Sequence, residues 1–244
     1  LTLTAGSRFD YNSRYKSTFN PRIGLVFKPV NKITIKLLYG HSYLSPSPFK
    51  SYQHFGSFSP VYNENNEITG LECYYFFLPN PDLEPEKRVS YDTYLMYQIS
   101  ENLALSLNTY YGEISNLIST TGTDTVTFHN VPVGWVETLT NQGNSTAYGG
   151  TFRVDFRKNL GIFFKINFFA AYTYSDGNIS DNPLIYSAKH TIKTGIDFNF
   201  KNKINIYTKI AYRTGSHYIF STFDTPVMND PFTLINLTLN YKIV

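Results

Sequence analysis

About ten stretches of this chain alternate apolar and polar residues, and the connections between them alternate too, short then long. The short ones are 28–32 (KPVNK), 100–102 (SEN), 157–160 (RKNL) and 201–203 (KNK). The long ones run over 10–18, 44–86, 117–145, 175–188 and 215–231. Successive antiparallel strands joined this way put every tight turn at one end of the sheet and every long loop at the other. That polarity belongs to outer-membrane β-barrels, with short periplasmic turns and long extracellular loops. The expected fold is therefore all-β, an antiparallel transmembrane β-barrel of about ten strands. Its apolar faces go to the bilayer rather than to a core.

The side-chain period of two in a strand sorts each stretch into faces. In 161–172, Ile162, Phe164, Ile166, Phe168, Ala170 and Tyr172 oppose Gly161, Lys165 and Asn167. In 190–200, Ile192, Thr194, Ile196, Phe198 and Phe200 oppose Lys193, Gly195, Asp197 and Asn199. The same sorting holds in 148–157, where Arg153 and Asp155 share the polar face, and in 204–213, where Lys209 and Arg213 do. Arg22 and Lys36 occupy it in the early strands. Charges thus fall near strand middles. A lysine or arginine facing lipid at mid-bilayer costs about 2–4 kcal/mol, and one facing a hydrated lumen costs little. Ten residues at about 3.3 Å, tilted near 40°, rise roughly 25 Å, the height of a barrel's apolar band. Tyr39, Tyr43, Tyr110, Tyr111, Tyr172, Tyr174, Tyr212 and Tyr218 are expected near the loop ends, as an interfacial aromatic belt.

Composition excludes other classes. Charged residues make up 16% of the chain, against 21 Tyr and 20 Phe, and mean hydropathy is −0.25. No run approaches the roughly 18 apolar residues of a membrane helix. Cys73 is the single cysteine, so no intrachain disulfide framework or cysteine metal cluster forms. Lys and Arg are scattered, which leaves no nucleic-acid footprint. Leu1-Thr2-Leu3-Thr4 reads as mid-strand and Tyr241-Lys242-Ile243-Val244 stops in one, so a fragment cut at both ends is expected.

Three segments carry a resemblance. Asn20-Pro21-Arg22-Ile23-Gly24-Leu25-Val26-Phe27-Lys28-Pro29 is followed by Leu37-Leu38-Tyr39-Gly40-His41-Ser42-Tyr43-Leu44-Ser45-Pro46 and, after a long loop, by Asn80-Pro81-Asp82-Leu83-Glu84-Pro85-Glu86. Their order and spacing resemble the barrel of TonB-dependent outer-membrane receptors, and the opening Gly6, Arg8 and Asp10 fit as well. The resemblance implies ten strands of a 22-stranded barrel spanning 1–244, with a plug domain and closing strands outside this chain. It implies active uptake of a scarce nutrient such as a siderophore or cobalamin across the outer membrane of a Gram-negative-type bacterium. Its implied partners are outer-membrane lipid, the TonB complex through the plug region, and a small nutrient or metal-chelate ligand. Pro81 and Pro85 stiffen the third segment, whose role is read as structural.

No catalytic motif is present, and Asp124 has no second carboxylate close in sequence. No resident cofactor or metal is expected, because His41, His54, His129, His190 and His217 form no i, i+2 or i, i+4 pair. Ligand contact is expected from aromatic and histidine residues of the long loops: Tyr52, His54, Phe55, Tyr62, Tyr74, Tyr75, His129 and Trp135. The lumenal charges Arg22, Lys36, Arg153, Asp155, Lys165, Lys193, Asp197, Lys209 and Arg213 either hold a plug or pair with one another across strands, the second being the more economical. Three other readings stay open. A passive porin or diffusion channel shares the alternation, an enzyme on a complete ten-stranded barrel needs a catalytic cluster at the rim, and a soluble β-sandwich needs shorter strands.

Overall fold

The computed structural model describes residues 1–219 and 225–243, with the backbone alone at 123–126 and 128. The side chain of Asp124, residues 220–224 of the last long connection, and Val244 lie outside this set. In chain order the elements are β1 (Thr2–Asn12), β2 (Lys16–Phe27), β3 (Ile33–Leu44), the short helix α1 (Pro48–Tyr52), β4 (Phe55–Tyr62), β5 (Ile68–Leu78) and β6 (Glu86–Ser100). Then come β7 (Leu103–Ser115), β8 (Ile118–Phe128), β9 (Val131–Asn141), β10 (Asn144–Leu160), β11 (Phe164–Ile179) and β12 (Asn182–Pro183). The last are β13 (His190–Phe200), β14 (Ile204–Arg213), β15 (His217–Tyr218), β16 (Val227–Met228) and β17 (Phe232–Tyr241).

Ten strands form one antiparallel sheet in the order β1-β2-β3-β6-β7-β10-β11-β13-β14-β17, with β12 paired to the end of β11. The neighbours are those the alternation predicts, and register keeps like faces together. Leu107 faces Phe152, Phe152 faces Tyr172, Tyr172 faces Ile192 and Ile192 faces Tyr212. A slip of one residue on a strand would turn its polar face toward lipid, so the apolar face itself specifies register. That face is bare: Phe152, Ile192, Ile196 and Leu237 are all exposed. Among the described residues no helix is long and apolar enough to cross a membrane.

Strand ends depart from expectation in three places. The connection expected at 10–18 is a three-residue turn, because Asn12 pairs with Lys16. β11 likewise runs to Ile179, into the connection expected at 175–188. Above the lipid both faces of a strand meet water, so alternation fades while the hydrogen bonds continue. The short turn expected at 157–160 sits at 161–163 instead. Gly161 there has φ +68, a left-handed conformation glycine adopts at little cost. Ile162, placed by alternation on the apolar face, therefore lies in the turn.

An aromatic row does cross the outer face near the loop ends: Tyr39 faces Tyr91, Tyr91 faces Tyr111 and Tyr111 faces Tyr148. Tyr110 is not part of it. It points to the opposite face, where its hydroxyl lies 2.8 Å from Ser175 Oγ. Tyr218 belongs to the small β15–β16 hairpin beyond the sheet.

Candidate functional site

The two longest connections fold into a sheet of their own. β4, β5, β9 and β8 pair in that order, and the central pair β5–β9 is parallel. Two hairpins from different loops thus share one four-stranded sheet at the loop end of the barrel. Cys73, Phe76, Val133 and Val136 form a small core inside it.

The Asn80–Glu86 segment fastens this sheet down. Asn80 Nδ2 donates to the Leu139 carbonyl at 2.8 Å, and its Oδ1 accepts the Asp82 N–H at 3.0 Å. Asn141 Oδ1 accepts the Glu84 N–H, while its Nδ2 donates to the carbonyls of Glu84 and Asn116, both at 2.9 Å. Glu86 Oε1 accepts the Ile118 N–H at 2.9 Å. Leu83 is 2% exposed beneath these bonds. From the other side Arg14 Nη2 donates to the Pro81 carbonyl at 3.0 Å, and its guanidinium lies 4.6 Å from the Tyr52 ring centre. The proline-bracketed motif is thus a buckle joining the bases of both loops.

Some expected ligand residues converge and others do not. Tyr75 and Trp135 are partners across β5 and β9. Tyr75 OH donates to Glu137 Oε2 and Trp135 Nε1 to Glu137 Oε1, both at 2.9 Å. The indole lies over Gly122, where an added Cβ would sit 2.2 Å from a ring carbon. Phe55 joins the group, its ring centre 6.2 Å from that of Tyr75. Burial, then the bond to Glu137, pushes the Tyr75 phenol above the usual tyrosine range. Tyr52 instead stacks on Arg14, and His54 is exposed beside the start of β4. Tyr62 ends β4, Tyr74 is 74% exposed with its hydroxyl toward Glu72, and His129 is at the β8–β9 turn with φ +48. Glu137 was not foreseen. A carboxylate between aromatics carries no sequence signal until parallel pairing brings Tyr75 beside Trp135.

On the charged face, Arg153 and Asp155 form a bidentate pair with two 2.7 Å bonds along one strand, not across strands. The Arg153 guanidinium stacks 4.5 Å from the Phe169 ring centre. Phe169 in turn covers Gly195, where a Cβ would meet it at 2.6 Å. Asp197 accepts from Asn167 and Asn205, and Lys165 donates to Asn202 at 3.4 Å near the turns. Arg213 donates to Ser216 Oγ. Arg22, Lys36, Lys193 and Lys209 form no ion pair among the described residues. A hollow of about 320 Å³ and another of about 430 Å³ open on this face on either side of Arg153, Asp155 and Arg157.

The family profile described as "TonB dependent receptor-like, beta-barrel" matches residues 1–244. The chain belongs to this receptor family. It is an outer-membrane β-barrel of the TonB-dependent type, as its sequence motifs imply. The iron-regulated outer membrane virulence protein of Vibrio cholerae serotype O1 is 24% identical over 216 residues, 86% of this chain and 31% of the relative. Among solved structures, the siderophore receptor PirA of Acinetobacter baumannii superposes with a TM-score of 0.72 at 15% identity. It covers 99% of this chain and 37% of PirA. The ferric enterobactin receptor PfeA of Pseudomonas aeruginosa, in complex with enterobactin, gives 0.71 at 14% identity, with 99% and 35% covered. The copper transporter OprC gives 0.61 at 15% identity, with 94% and 32% covered. The receptor barrel described here therefore spans about a third of the length of these relatives.

Proposed function

We propose that this chain is ten strands of a 22-stranded barrel in an energised importer that captures a scarce small solute, of the siderophore or other metal-chelate class, and admits it past a plug domain under TonB control. The observation that carries this reading is the loop sheet. It gathers aromatic side chains from two loops over the barrel's loop end and ties them to the wall through the Asn80–Glu86 buckle. Rigid aromatic surface at an entrance suits capture of a flat or macrocyclic ligand. The family match and the siderophore and iron-linked relatives point the same way.

The test is uptake by cells that carry the full-length parent receptor as their sole receptor of this kind. Under metal limitation, accumulation of a labelled chelate is expected to depend on the receptor and to stop when TonB is deleted or the proton gradient is collapsed. Uptake that persists without energy would make this a diffusion channel instead.

A further inference from the structure

The connections at the two ends of the ten-stranded sheet carry opposite charge. The short turns and the residues after β17 hold Lys28, Lys32, Lys201, Lys203 and Lys242 against one acid, Glu101. In the long connections acids outnumber the three cations Arg14, Lys50 and Lys189. The short turns of an outer-membrane barrel lie at its periplasmic side, so the basic end meets the leaflet built of glycerophospholipids.

One of these turns is apolar where turns are ordinarily polar. It reads Leu160-Gly161-Ile162-Phe163-Phe164. Ile162 is 84% exposed, and Leu160 and Phe163 are close to half exposed. Leu160 pairs with Phe164 and begins a lipid-facing row that continues through Phe200, Ile204 and Tyr241. The turn thus prolongs the apolar wall past the last strand pair of β10 and β11.

Cations flank it on both sides. Lys158 lies one row further in, on the lipid-facing side, level with Ile166 and Phe198. No lumenal group can reach it through the sheet, and its four-carbon stem lets the ammonium stretch to the headgroups. On the other flank the Lys201 N–H donates to the Phe163 carbonyl at 2.7 Å. The Lys201 ammonium lies 5.0 Å from the Phe163 ring centre and 5.2 Å from that of Phe200. Two rings beside one ammonium hold the charge at the depth where the apolar wall stops. Lys203 ends the same turn. Only β11 separates the strand of Lys158 from the strand that leads to Lys201, a gap of roughly 10 Å at ordinary strand spacing. Side chains of this length converge on one headgroup across such a gap. Exposed apolar surface rimmed by charge marks a membrane contact, and clustered lysines at a bilayer surface select anionic lipid.

We propose that the β10–β11 and β13–β14 turns form a seat for an anionic glycerophospholipid of the periplasmic leaflet. Lys158, Lys201 and Lys203 hold its phosphate, and Ile162 and Phe163 rest against the heads of its acyl chains. The seat fixes the height of the barrel in its bilayer. It needs only the barrel in its membrane and stands whether or not the importer reading holds.

The experiment uses the full-length receptor in vesicles of phosphatidylglycerol and phosphatidylethanolamine in equal parts. An Ile162→Trp receptor supplies a local probe, its fluorescence read as the difference from the receptor with the natural Ile162. Each lipid in turn is brominated near the head of its acyl chains, which quenches an indole in contact. Phosphatidylglycerol is expected to quench as though about fivefold enriched over phosphatidylethanolamine at the turn. The enrichment should vanish when Lys158→Gln, Lys201→Gln and Lys203→Gln are combined. Lys87→Gln, near the loop end of the same face, should leave it unchanged. Native mass spectrometry of receptors that keep Ile162 makes the same comparison without the probe. The wild type should retain more phosphatidylglycerol than phosphatidylethanolamine, and the triple variant should not. Equal quenching by the two lipids, or a preference that survives the triple variant, overturns the proposal. Quenching by neither would set Ile162 against protein or the cell-wall polymer, and overturns it as well.

Discussion

Glu137 is the residue on which the loop sheet's polar chemistry turns. It accepts from Tyr75 and Trp135 at once, and removing an acceptor from half-buried donors costs about 1–3 kcal/mol. Glu137→Ala should therefore loosen the sheet by roughly that amount. In the full-length receptor the fluorescence of Trp135, the one tryptophan of this chain, taken as the difference from a Trp135→Phe receptor, should shift to the red in this variant. An unchanged spectrum would show the indole held by packing alone. The Tyr75 phenol has a raised pKa in the folded state, first from burial and then from Glu137. Its contribution is present below the ordinary tyrosine pKa and is lost as pH rises through the folded value. Tyr174, bonded to Asp176, is raised as well, so a tyrosinate absorbance titration should find one fewer late-ionising group in Glu137→Ala than in the wild type. A second titrating pair lies beyond the tyrosine row, where Lys189 Nζ is 2.7 Å from Asp176. Lys189, ahead of Tyr174 and the Gly177 N–H, holds the Asp176 carboxyl below the usual range, and Asp176 holds the Lys189 ammonium above its own. The Asp176 part is present above the ordinary carboxylate pKa and fades as pH falls through the lowered one. The Lys189 part fades only as pH rises through its raised one. The protection of the amides in 180–189, taken relative to their intrinsic exchange at each pH, should fall at both extremes and hold between them.

At the scale of elements, the sheet of ten strands was legible because lipid on one face and water on the other enforce a period of two over ten or more residues. Where that contrast ends, so did legibility. β1 and β11 run past their expected ends because nothing apolar surrounds them there, and Arg157-Lys158-Asn159-Leu160 mimics a turn although it is strand. The loop sheet was not legible at all. In β5 the run Tyr74-Tyr75-Phe76-Phe77 shows no alternation, since Phe76 is buried and Tyr75 and Phe77 are half-buried while the equally bulky Tyr74 is exposed, and its partner β9 lies some sixty residues away. The buckle can be tested by Asn141→Ala, which removes bonds to the Glu84 and Asn116 carbonyls and the acceptor for the Glu84 N–H. The Glu84 groups are exposed and the Asn116 carbonyl is half-buried, so water replaces part of what is lost and each bond is worth about 0.5–1.5 kcal/mol. Limited proteolysis of intact cells should then cut within 117–145 several times faster, with the barrel itself intact. Equal cleavage rates would show the loop sheet stands without its fastening.

For the whole molecule, the contrast between faces sets what the barrel tolerates. Ile196→Lys places a charge on the lipid-facing side and should lower stability in lipid vesicles by about 2–4 kcal/mol. Asn167→Lys, on the opposite side of the same sheet, should cost less than a quarter of that. Urea unfolding of the full-length receptor in vesicles measures both, and equal costs would mean the assigned faces are wrong. The parallel pairing of β5 with β9 has a consequence for recognition from outside. What an antibody or phage meets at the mouth is a surface woven from two loops, and neither loop alone reproduces it. Peptides copied from 44–86 or 117–145 should raise sera blind to the intact cell, and immunity to this part of the molecule should require the folded pair.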